Sequence, residues 1–210
     1  MKRSHRENGV AHLRRVDPVM RGWISRAGPC VLKRRRDRFG ALVHAILAQQ
    51  VSATVALVFE KRILERCGPA GITPASLLRI GPEELRAAGC SRAKAAYLLD
   101  LAGKVHAGKL PLDRLGRMSD EKAIELLTAV KGIGLWTAQV FLIFSLGRPD
   151  VFPHDDLALR VGMQKIYGLR SLPDKKRSRR IAACWTPYAS VGSWYCWRWH
   201  YIEGRYKPKQ

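Results

Sequence analysis

The chain has 210 residues, a length that suits one compact domain or two small lobes. Its 38 lysines and arginines outnumber its 17 aspartates and glutamates, and the resulting net charge of +21 favours nucleic acid as partner over an anionic membrane surface. Five scattered cysteines without a C-x-x-C pair, and the lack of an apolar run of roughly 18 residues, exclude a disulfide scaffold and a membrane-spanning protein.

The first elements are predicted from capping residues and apolar spacing. Residues 1–15 are basic and polar and are expected to form an N-terminal arm. Asp17-Pro18 is typical of an N-cap followed by proline at the first helical position, and Gly28-Pro29 ends that helix. Residues 38–64 carry apolar side chains at helical spacing, interrupted by the polar segment 49–52, which predicts two helices broken at that point.

The rest of the chain continues in the same way, and no period-two pattern persists, so the fold class is predicted to be all-α, a two-lobed helical bundle of about ten helices. We expect one domain over residues 16–210, with lobe A at about 38–150 and lobe B formed by 16–37 and 151–210. The remaining helices are predicted to start at Thr73-Pro74, Gly81-Pro82, Pro173-Asp174 and Pro187, or to span residues 92–106, 122–130, 135–146 and 156–166.

The segment around Gly132-Ile133-Gly134 predicts a helix-hairpin-helix turn. Glycines stand where such a turn needs positive φ or close backbone approach, and Ile133 between them can hold the two helices together. Amides at the start of the second helix, including Thr137 in its first turn, would form an anion site beside Lys131. A lone G-x-G also fits an ordinary αα-turn, but the basic composition and the flanking apolar pattern favour phosphate binding.

The motifs together resemble one family. Residues 131–139, KGIGLWTAQ, and 148–160, RPDVFPHDDLALR, resemble the helix-hairpin-helix DNA glycosylase superfamily, in its 3-methyladenine DNA glycosylase II (AlkA-like) branch. The resemblance extends upstream to AILAQQVS at 45–52 and downstream to Trp197, and covers roughly residues 10–205. It implies a compact form without the N-terminal β-rich domain, and an active-site cleft between the two lobes. Lys131 replaces the family's proline, and Ala189 stands where related chains often have arginine.

The resemblance implies that Asp156, the second aspartate of the D-V-F-x-x-D-D pattern, is catalytic. Breaking an N-glycosidic bond creates positive charge on the sugar, which a fixed carboxylate stabilises while it orients or deprotonates water. The alternative is that Asp155 or Asp156 only caps the following helix. Asp155 is otherwise expected to be a neighbour without a catalytic role.

Trp136 bears on the reaction type. In bifunctional members of the superfamily, the resemblance implies, a lysine stands at this position and forms a Schiff base with the sugar. We therefore expect a monofunctional enzyme without lyase activity. Trp136 and Trp197 are also expected to stack on a cationic flipped base such as 3-methyladenine, because indole faces attract cations. The alternative for each tryptophan is core packing.

The segment Gln49-Gln50-Val51 is implied to supply the wedge that fills the duplex after base flipping, with Gln50 as the inserting side chain. The alternative is a polar loop without DNA contact. Ser52 is separately expected to cap the next helix. The resemblance also implies a monovalent cation, Na⁺ or K⁺, held by the backbone carbonyls of Thr128, Val130 and Ile133. No cofactor is expected to be required, and the cysteine and histidine spacings disfavour an iron-sulfur cluster and zinc.

The favoured function is a DNA glycosylase of base excision repair that hydrolyses alkylated bases from double-stranded DNA. The alternatives are a non-catalytic damage-binding or structural helix-hairpin-helix protein, and a glycosylase for oxidised or deaminated bases. The basic start lacks the apolar core of a signal peptide, so we expect a soluble, monomeric cytoplasmic protein, nucleoid-associated if the source is bacterial.

Overall fold

The computed structural model of the chain describes Met1 and residues 3–204. These residues form eleven α-helices joined by turns and loops and contain no strand, so the all-α prediction is confirmed. No helix among them is long and apolar enough to cross a membrane. The helices are α1 (Arg3–Val16), α2 (Pro18–Ala27), α3 (Arg38–Leu47), α4 (Ala53–Cys67), α5 (Pro74–Ala87), α6 (Arg92–His106), α7 (Asp120–Thr128), α8 (Leu135–Phe141), α9 (Leu157–Ile166), α10 (Lys175–Ala182) and α11 (Ala189–Ile202).

The chain divides into two compact units. The central unit is Arg35–Phe141, and the terminal unit is formed by Met1–Arg34 together with Leu142–Gln210. The predicted lobes, about 38–150 and 16–37 with 151–210, place the second division near residue 150, whereas the two compact units divide after Phe141. The reason is a change of geometry, because α8 ends at Phe141 and a π-helical turn, Leu142–Leu146, follows it where the sequence predicts one continuous helix.

The predicted N-terminal arm is wrong, because residues 3–16 form α1. Only Gly9 and Leu13 are buried along this helix, which is why its polar sequence gave no clear periodicity. A Cβ at Gly9 would lie 2.7 Å from a methyl group of Val191, so the helix approaches the start of α11 closely. Glycine at this position therefore lets α1 pack as part of the terminal unit.

Asp17 caps α2 as predicted, and it is also a buried polar centre of the terminal unit. One carboxylate oxygen accepts the Met20 amide at 2.9 Å, and the other accepts the indole N–H of Trp185 at 3.0 Å and the hydroxyl of Tyr167. Burial, followed by the contact with Asp17, raises the pKa of Tyr167 well above its ordinary value. These bonds tie α2 to the chain after α9 and to the turn before α11.

Capping residues set the helix starts of the central unit. Ser52, Thr73, Ser91 and Ser119 each accept an amide of the following turn, which fixes the beginnings of α4, α5, α6 and α7. The two predicted starts at Thr73-Pro74 and Gly81-Pro82 belong to one element, α5, which is kinked where Gly81 adopts a φ of +73°. Helix α5 packs on α6 within the central unit.

Candidate active site and nucleic-acid interface

The glycine hairpin joins α7 to α8 in the central unit. Gly132 has a φ of +80°, and a Cβ there would lie 2.2 Å from the ring of Tyr97, so only glycine fits. Gly134 lies outside the left-handed region, and a Cβ there would meet no protein atom within 4 Å. The two glycines thus serve different purposes: the first makes the turn, and the second leaves the backbone open. Ile133 is buried, as predicted for the residue that holds the helices together.

The first turn of α8 presents backbone amides that precede the helical hydrogen-bond ladder. Ala138 donates the first such bond, to the carbonyl of Gly134 at 3.0 Å, so the amides of residues 135–137 come before it. The side chain of Thr137 is only 6% exposed and that of Ile133 is also buried. Of the predicted DNA contacts, these two are therefore available to a phosphate through their backbone only.

Helix α6 contacts the hairpin through the side chain of Asp100. The Asp100 carboxylate accepts the backbone N–H of Lys131 at 2.9 Å and the ammonium of Lys104 at 2.6 Å. Burial alone would raise the pKa of Asp100, but the hydrogen bonds from Lys104 and the Lys131 amide hold it below its ordinary value. The hairpin amide is thus fixed by a charged acceptor, while the Lys131 side chain is exposed. Sequence reasoning missed Asp100, which lies 31 positions before its partner.

The predicted wedge lies between α3 and α4. Gln50 is exposed and is the one non-glycine residue with positive φ (+56°) in the described part of the chain. Such a conformation costs on the order of 1 kcal/mol and is typical of functional loops. Gln49, which the sequence grouped with it, instead donates its side-chain amide to the carbonyl of Gly132 at 2.7 Å, and Val51 is half-buried. Ser52 caps α4, as expected.

The catalytic candidate lies in the terminal unit, at the start of α9. Asp156 is the N-cap residue, and its Oδ1 accepts the amide of Leu159 at 2.7 Å. The residue is only 7% exposed. The capping role is therefore present, and the bond to the Leu159 amide fixes the direction of this buried carboxyl group at the N-terminus of α9.

Two close contacts with α11 position the loop and helix that carry Asp156. Ser190, in the first turn of α11, accepts the amide of Val151 at 3.0 Å and donates to the carbonyl of Arg148 at 2.8 Å. Farther along, a Cβ at Gly162 of α9 would lie 2.1 Å from the carbonyl oxygen of Cys196. Glycine at 162 thus lets the two helices touch backbone to backbone. Burial raises the pKa of Cys196 far above its ordinary value, which keeps its thiol neutral beside this contact.

The neighbours of Asp156 in sequence turn towards α10. Asp155 pairs with the ammonium of Lys175 at 2.6 Å, and this bond lowers the pKa of Asp155. Arg179 donates to Nε2 of His154 at 2.7 Å. Two cations of α10, one helical turn apart, therefore hold the two residues that precede the catalytic candidate. The expectation that Asp155 is a neighbour without a catalytic role remains a prediction.

An aromatic cavity of about 570 Å³ opens in the terminal unit. Trp197 lies in its wall, with its ring 5.5 Å from that of Phe144. Ala158, in the first turn of the helix that Asp156 caps, belongs to the same wall and its carbonyl accepts Nε2–H of His200 at 2.7 Å. The full lining is Val31, Phe144, Ala158, Trp194, Trp197, Arg198, His200 and Tyr201.

The tryptophans divide into packing and surface residues. Trp23 and Trp185 are buried, whereas Trp136, in the central unit, is 45% exposed and is not a core residue. Trp194 lines the cavity beside Trp197, and sequence reasoning did not single it out. The signal for Trp194 was its spacing, because residues 194, 197, 198 and 201 follow one face of α11.

Comparison with known proteins identifies the family. Residues 43–187 match the family described as "HhH-GPD superfamily base excision DNA repair protein". The chain belongs to this superfamily. The HhH-GPD match includes the predicted wedge, the hairpin and Asp156, so the resemblance inferred from those motifs is confirmed.

Individual HhH-GPD relatives cover most of the chain. DNA-3-methyladenine glycosylase 1 of Schizosaccharomyces pombe is 31% identical over 176 residues, which are 83% of this chain and 77% of that protein. The crystal structure of DNA-3-methyladenine glycosidase from Bacillus halodurans has a TM-score of 0.84 at 34% identity, covering 91% of this chain and 88% of that one. The 3-methyladenine DNA glycosylase of S. pombe in complex with abasic DNA has a TM-score of 0.83 at 28% identity, covering 95% and 100%.

Proposed function

We propose that this HhH-GPD protein is a monofunctional DNA glycosylase of base excision repair, which hydrolyses the N-glycosidic bond of alkylated bases such as 3-methyladenine in double-stranded DNA. The observation that carries the proposal is the buried carboxylate of Asp156, fixed at the N-terminus of α9 two residues before Ala158 in the wall of an aromatic cavity. The relatives named as 3-methyladenine glycosylases support the choice of substrate class.

Asp156 acts on the sugar. As the bond from C1′ to the base nitrogen breaks, its electron pair leaves with the base and positive charge develops on the deoxyribose. The fixed carboxylate stabilises this charge and orients a water whose oxygen forms the new bond to C1′. The water gives up one proton, for which the carboxylate serves as base. An N-alkylated purine that carries a positive charge leaves as a neutral base, so the reaction needs no separate general acid.

The aromatic cavity is the proposed site of the extruded base. Its volume of about 570 Å³ is within the range of small-molecule pockets, and the rings of Trp197 and Phe144 supply electron-rich faces for a cationic purine. Trp136 is exposed in the central unit, and its role in stacking on a flipped base stays a prediction. Neutral undamaged bases gain less from these faces, and their glycosidic bonds are stronger, so both effects favour the alkylated base.

The hairpin and the wedge are the proposed DNA contacts of the central unit. The open backbone at Gly134 and the exposed Lys131 fit a phosphate of the strand. Gln50, held outwards in a left-handed conformation, fits the inserting residue. The side chain of Gln49 is engaged with the hairpin, so we assign Gln49 to support of the wedge and not to insertion.

A monovalent cation at the hairpin is part of the proposal. Thr128 is the last residue of α7, where carbonyls lie beyond the helical ladder, and neutral oxygens suit a hard cation. The carbonyl of Val130 accepts the Ile133 amide at 3.1 Å and keeps a second lone pair for an ion. Bound Na⁺ or K⁺ would add positive charge next to the phosphate. DNA affinity should then be higher in potassium chloride than in choline chloride of equal ionic strength.

The experiment that tests the function is the identification of bases released from methylated DNA by mass spectrometry. We expect 3-methyladenine among the products, and an intact strand that breaks only after hot alkali, because Trp136 offers no amine for a Schiff base. Borohydride should trap no protein-DNA adduct. Release of only oxidised or deaminated bases would refute the alkylation assignment. A trapped adduct would refute the monofunctional mechanism. DNA binding without release of any base would refute catalysis and favour a non-catalytic damage-binding protein. The same preparation should sediment as a monomer.

A further inference from the structure

Helix α10 carries a strongly basic surface that the proposed function does not use. Five of its eight residues, Lys175, Lys176, Arg177, Arg179 and Arg180, are cationic and exposed, and the segment contains no acidic residue. Ser178 and Ala182, one turn apart, are its buried face. At 3.6 residues per turn, the opposite side of the helix carries Lys176 and Arg180. This outward pair is named the α10 ridge.

The side of α10 next to the ridge faces the loop that ends at Asp156, which is called the catalytic loop. Lys175 and Arg179 are also one turn apart, and they hold Asp155 and His154 at 2.6 and 2.7 Å. In the sequence, Lys176 directly follows Lys175, and Arg180 directly follows Arg179. The α10 ridge therefore lies beside the loop that ends at Asp156, on the surface of the same unit.

The arrangement of these cations is electrostatically unfavourable in the free protein. Lys175, Lys176 and Arg177 occupy the first turn of α10, where the positive end of the helix dipole repels them and the capping carboxylate of Asp174 offsets part of this repulsion. Lys176 and Arg180 form a like-charged i, i+4 pair, which also weakens a helix. In this first turn, the Lys175 ammonium pairs with the Asp155 carboxylate at 2.6 Å. A bound polyanion would remove both penalties at once.

We infer that the α10 ridge is a second DNA-backbone site, at which Lys176 and Arg180 bind phosphates of the strand that flank the nucleotide facing Asp156. This inference rests on the proposed function, because it takes the sugar at Asp156 as its reference point. Side chains at i and i+4 are about 6 Å apart, and each nucleotide advances about 3.4 Å along the duplex. The ridge thus spans phosphates one or two nucleotides apart.

The position of the ridge gives it a role in alignment as well as in affinity. A strand held by the ridge rests on the helix whose other cations hold His154 and Asp155. Backbone contacts of this kind set the register of a protein on DNA and carry no sequence information. Lesion repair requires this property, because the damaged base occurs in any sequence context.

The test is the salt dependence of binding to a duplex with a stable abasic analogue, measured by fluorescence anisotropy between 50 and 200 mM NaCl. The variant is Lys176→Gln/Arg180→Gln, and the matched control is Lys61→Gln/Arg62→Gln, which removes one exposed lysine and one exposed arginine from α4 of the central unit. Each lost phosphate contact lowers the slope of log K against log salt by about 0.9. The slope measured for the α10 variant should therefore be smaller than the wild-type slope by about 2. The ratio of wild-type to variant affinity should fall about 12-fold between 50 and 200 mM NaCl.

The control variant should keep the wild-type slope and wild-type base release, and Lys176→Arg/Arg180→Lys should keep the slope because it keeps both charges. Equal melting temperatures of all the variants would show that folding is unchanged. A wild-type slope in the α10 variant, while the wild-type enzyme binds DNA and releases 3-methyladenine, would overturn the inference alone. Failure of the wild-type enzyme to release any base would overturn the proposed function. A defect confined to binding of phosphatidylserine vesicles would assign α10 to a membrane surface and also overturn the inference.

Discussion

Substitutions at Asp156 can separate the two roles that the structure gives to one carboxylate. As a cap, it accepts the Leu159 amide at 2.7 Å and starts α9. As a charge, it is proposed to stabilise the developing cation on the sugar. Asparagine and serine cap helices about as well as aspartate does, but neither carries a charge, and alanine supplies neither property. The series Asp156→Asn, Asp156→Ser and Asp156→Ala therefore removes the charge in all three variants and the cap in only one.

The expected sizes differ for the two properties. Two opposite charges about 4 Å apart at an effective dielectric constant of about 20 interact by about 4 kcal/mol. Loss of that interaction slows the reaction by about three powers of ten. Loss of the cap lowers the free energy of unfolding by about 1 kcal/mol, which lowers Tm by roughly 3 °C in a chain of this size. Asp156→Asn and Asp156→Ser should thus melt near the wild type, whereas Asp156→Ala should melt lower.

The assays are single-turnover release of 3-methyladenine with enzyme in excess, thermal unfolding, and binding to a duplex with an abasic analogue. We expect all three variants to bind this duplex, because the proposed DNA contacts lie elsewhere. An Asp156→Asn enzyme that retains more than a tenth of the wild-type rate would refute the catalytic role. An Asp156→Asn protein that melts as low as Asp156→Ala would refute the capping argument and leave the catalytic role intact.

Three further predictions concern stability and the wedge. Gly132→Ala should lower the free energy of unfolding by about 2 kcal/mol in denaturant titrations, because the methyl group meets Tyr97 at a φ of +80°; an unchanged midpoint would contradict the geometry. Gln50→Gly should raise stability by about 1 kcal/mol through relief of its positive φ, yet lower the rate of base release, and equal rates would argue against insertion. Burial raises the pKa of the Cys30 thiol to about 11, so the folded state binds this proton more tightly than the unfolded state. The protonated thiol therefore stabilises the folded state fully below about pH 9, and this stabilisation is lost as the pH rises to 11. The Tm of the wild type should fall more over that interval than the Tm of Cys30→Ala. An equal fall in the two proteins would show that the thiol ionises as freely in the folded state as in the unfolded state.

The sequence predicted most helices because their starts depend on neighbouring residues. The bounds of α6, residues 92–106, follow from Ser91 and one apolar face, and Asp17-Pro18 gave the start of α2 in the same way. Prediction from the sequence failed where a residue packs against a partner that lies far away in the chain. Nothing in the polar residues of α1 indicates that Gly9 meets Val191, and no local signal marks the end of α8 at Phe141.

The same distinction between local and distant residues applies to the candidate site. The family resemblance named Asp156, the hairpin and Gln50 as candidates, because each lies in a short segment that carries one of the family's motifs. The side chains that support them come from distant segments: Asp100 accepts the Lys131 amide from another helix, and the catalytic loop is held from α10. Hydrogen bonds of this kind depend on tertiary packing, which a single sequence does not record.

The burial of Asp156 explains why the capping role and the proposed chemistry belong to the same side chain. A carboxylate removed from water interacts more strongly with a cation, but desolvation disfavours its charged form. The amide of Leu159 and the dipole of α9 direct positive potential at this carboxylate from fixed backbone groups, so the cap and the proposed charge depend on the same geometry. Lys175 binds Asp155 and Arg179 binds His154, so α10 holds the loop through the two residues that precede Asp156.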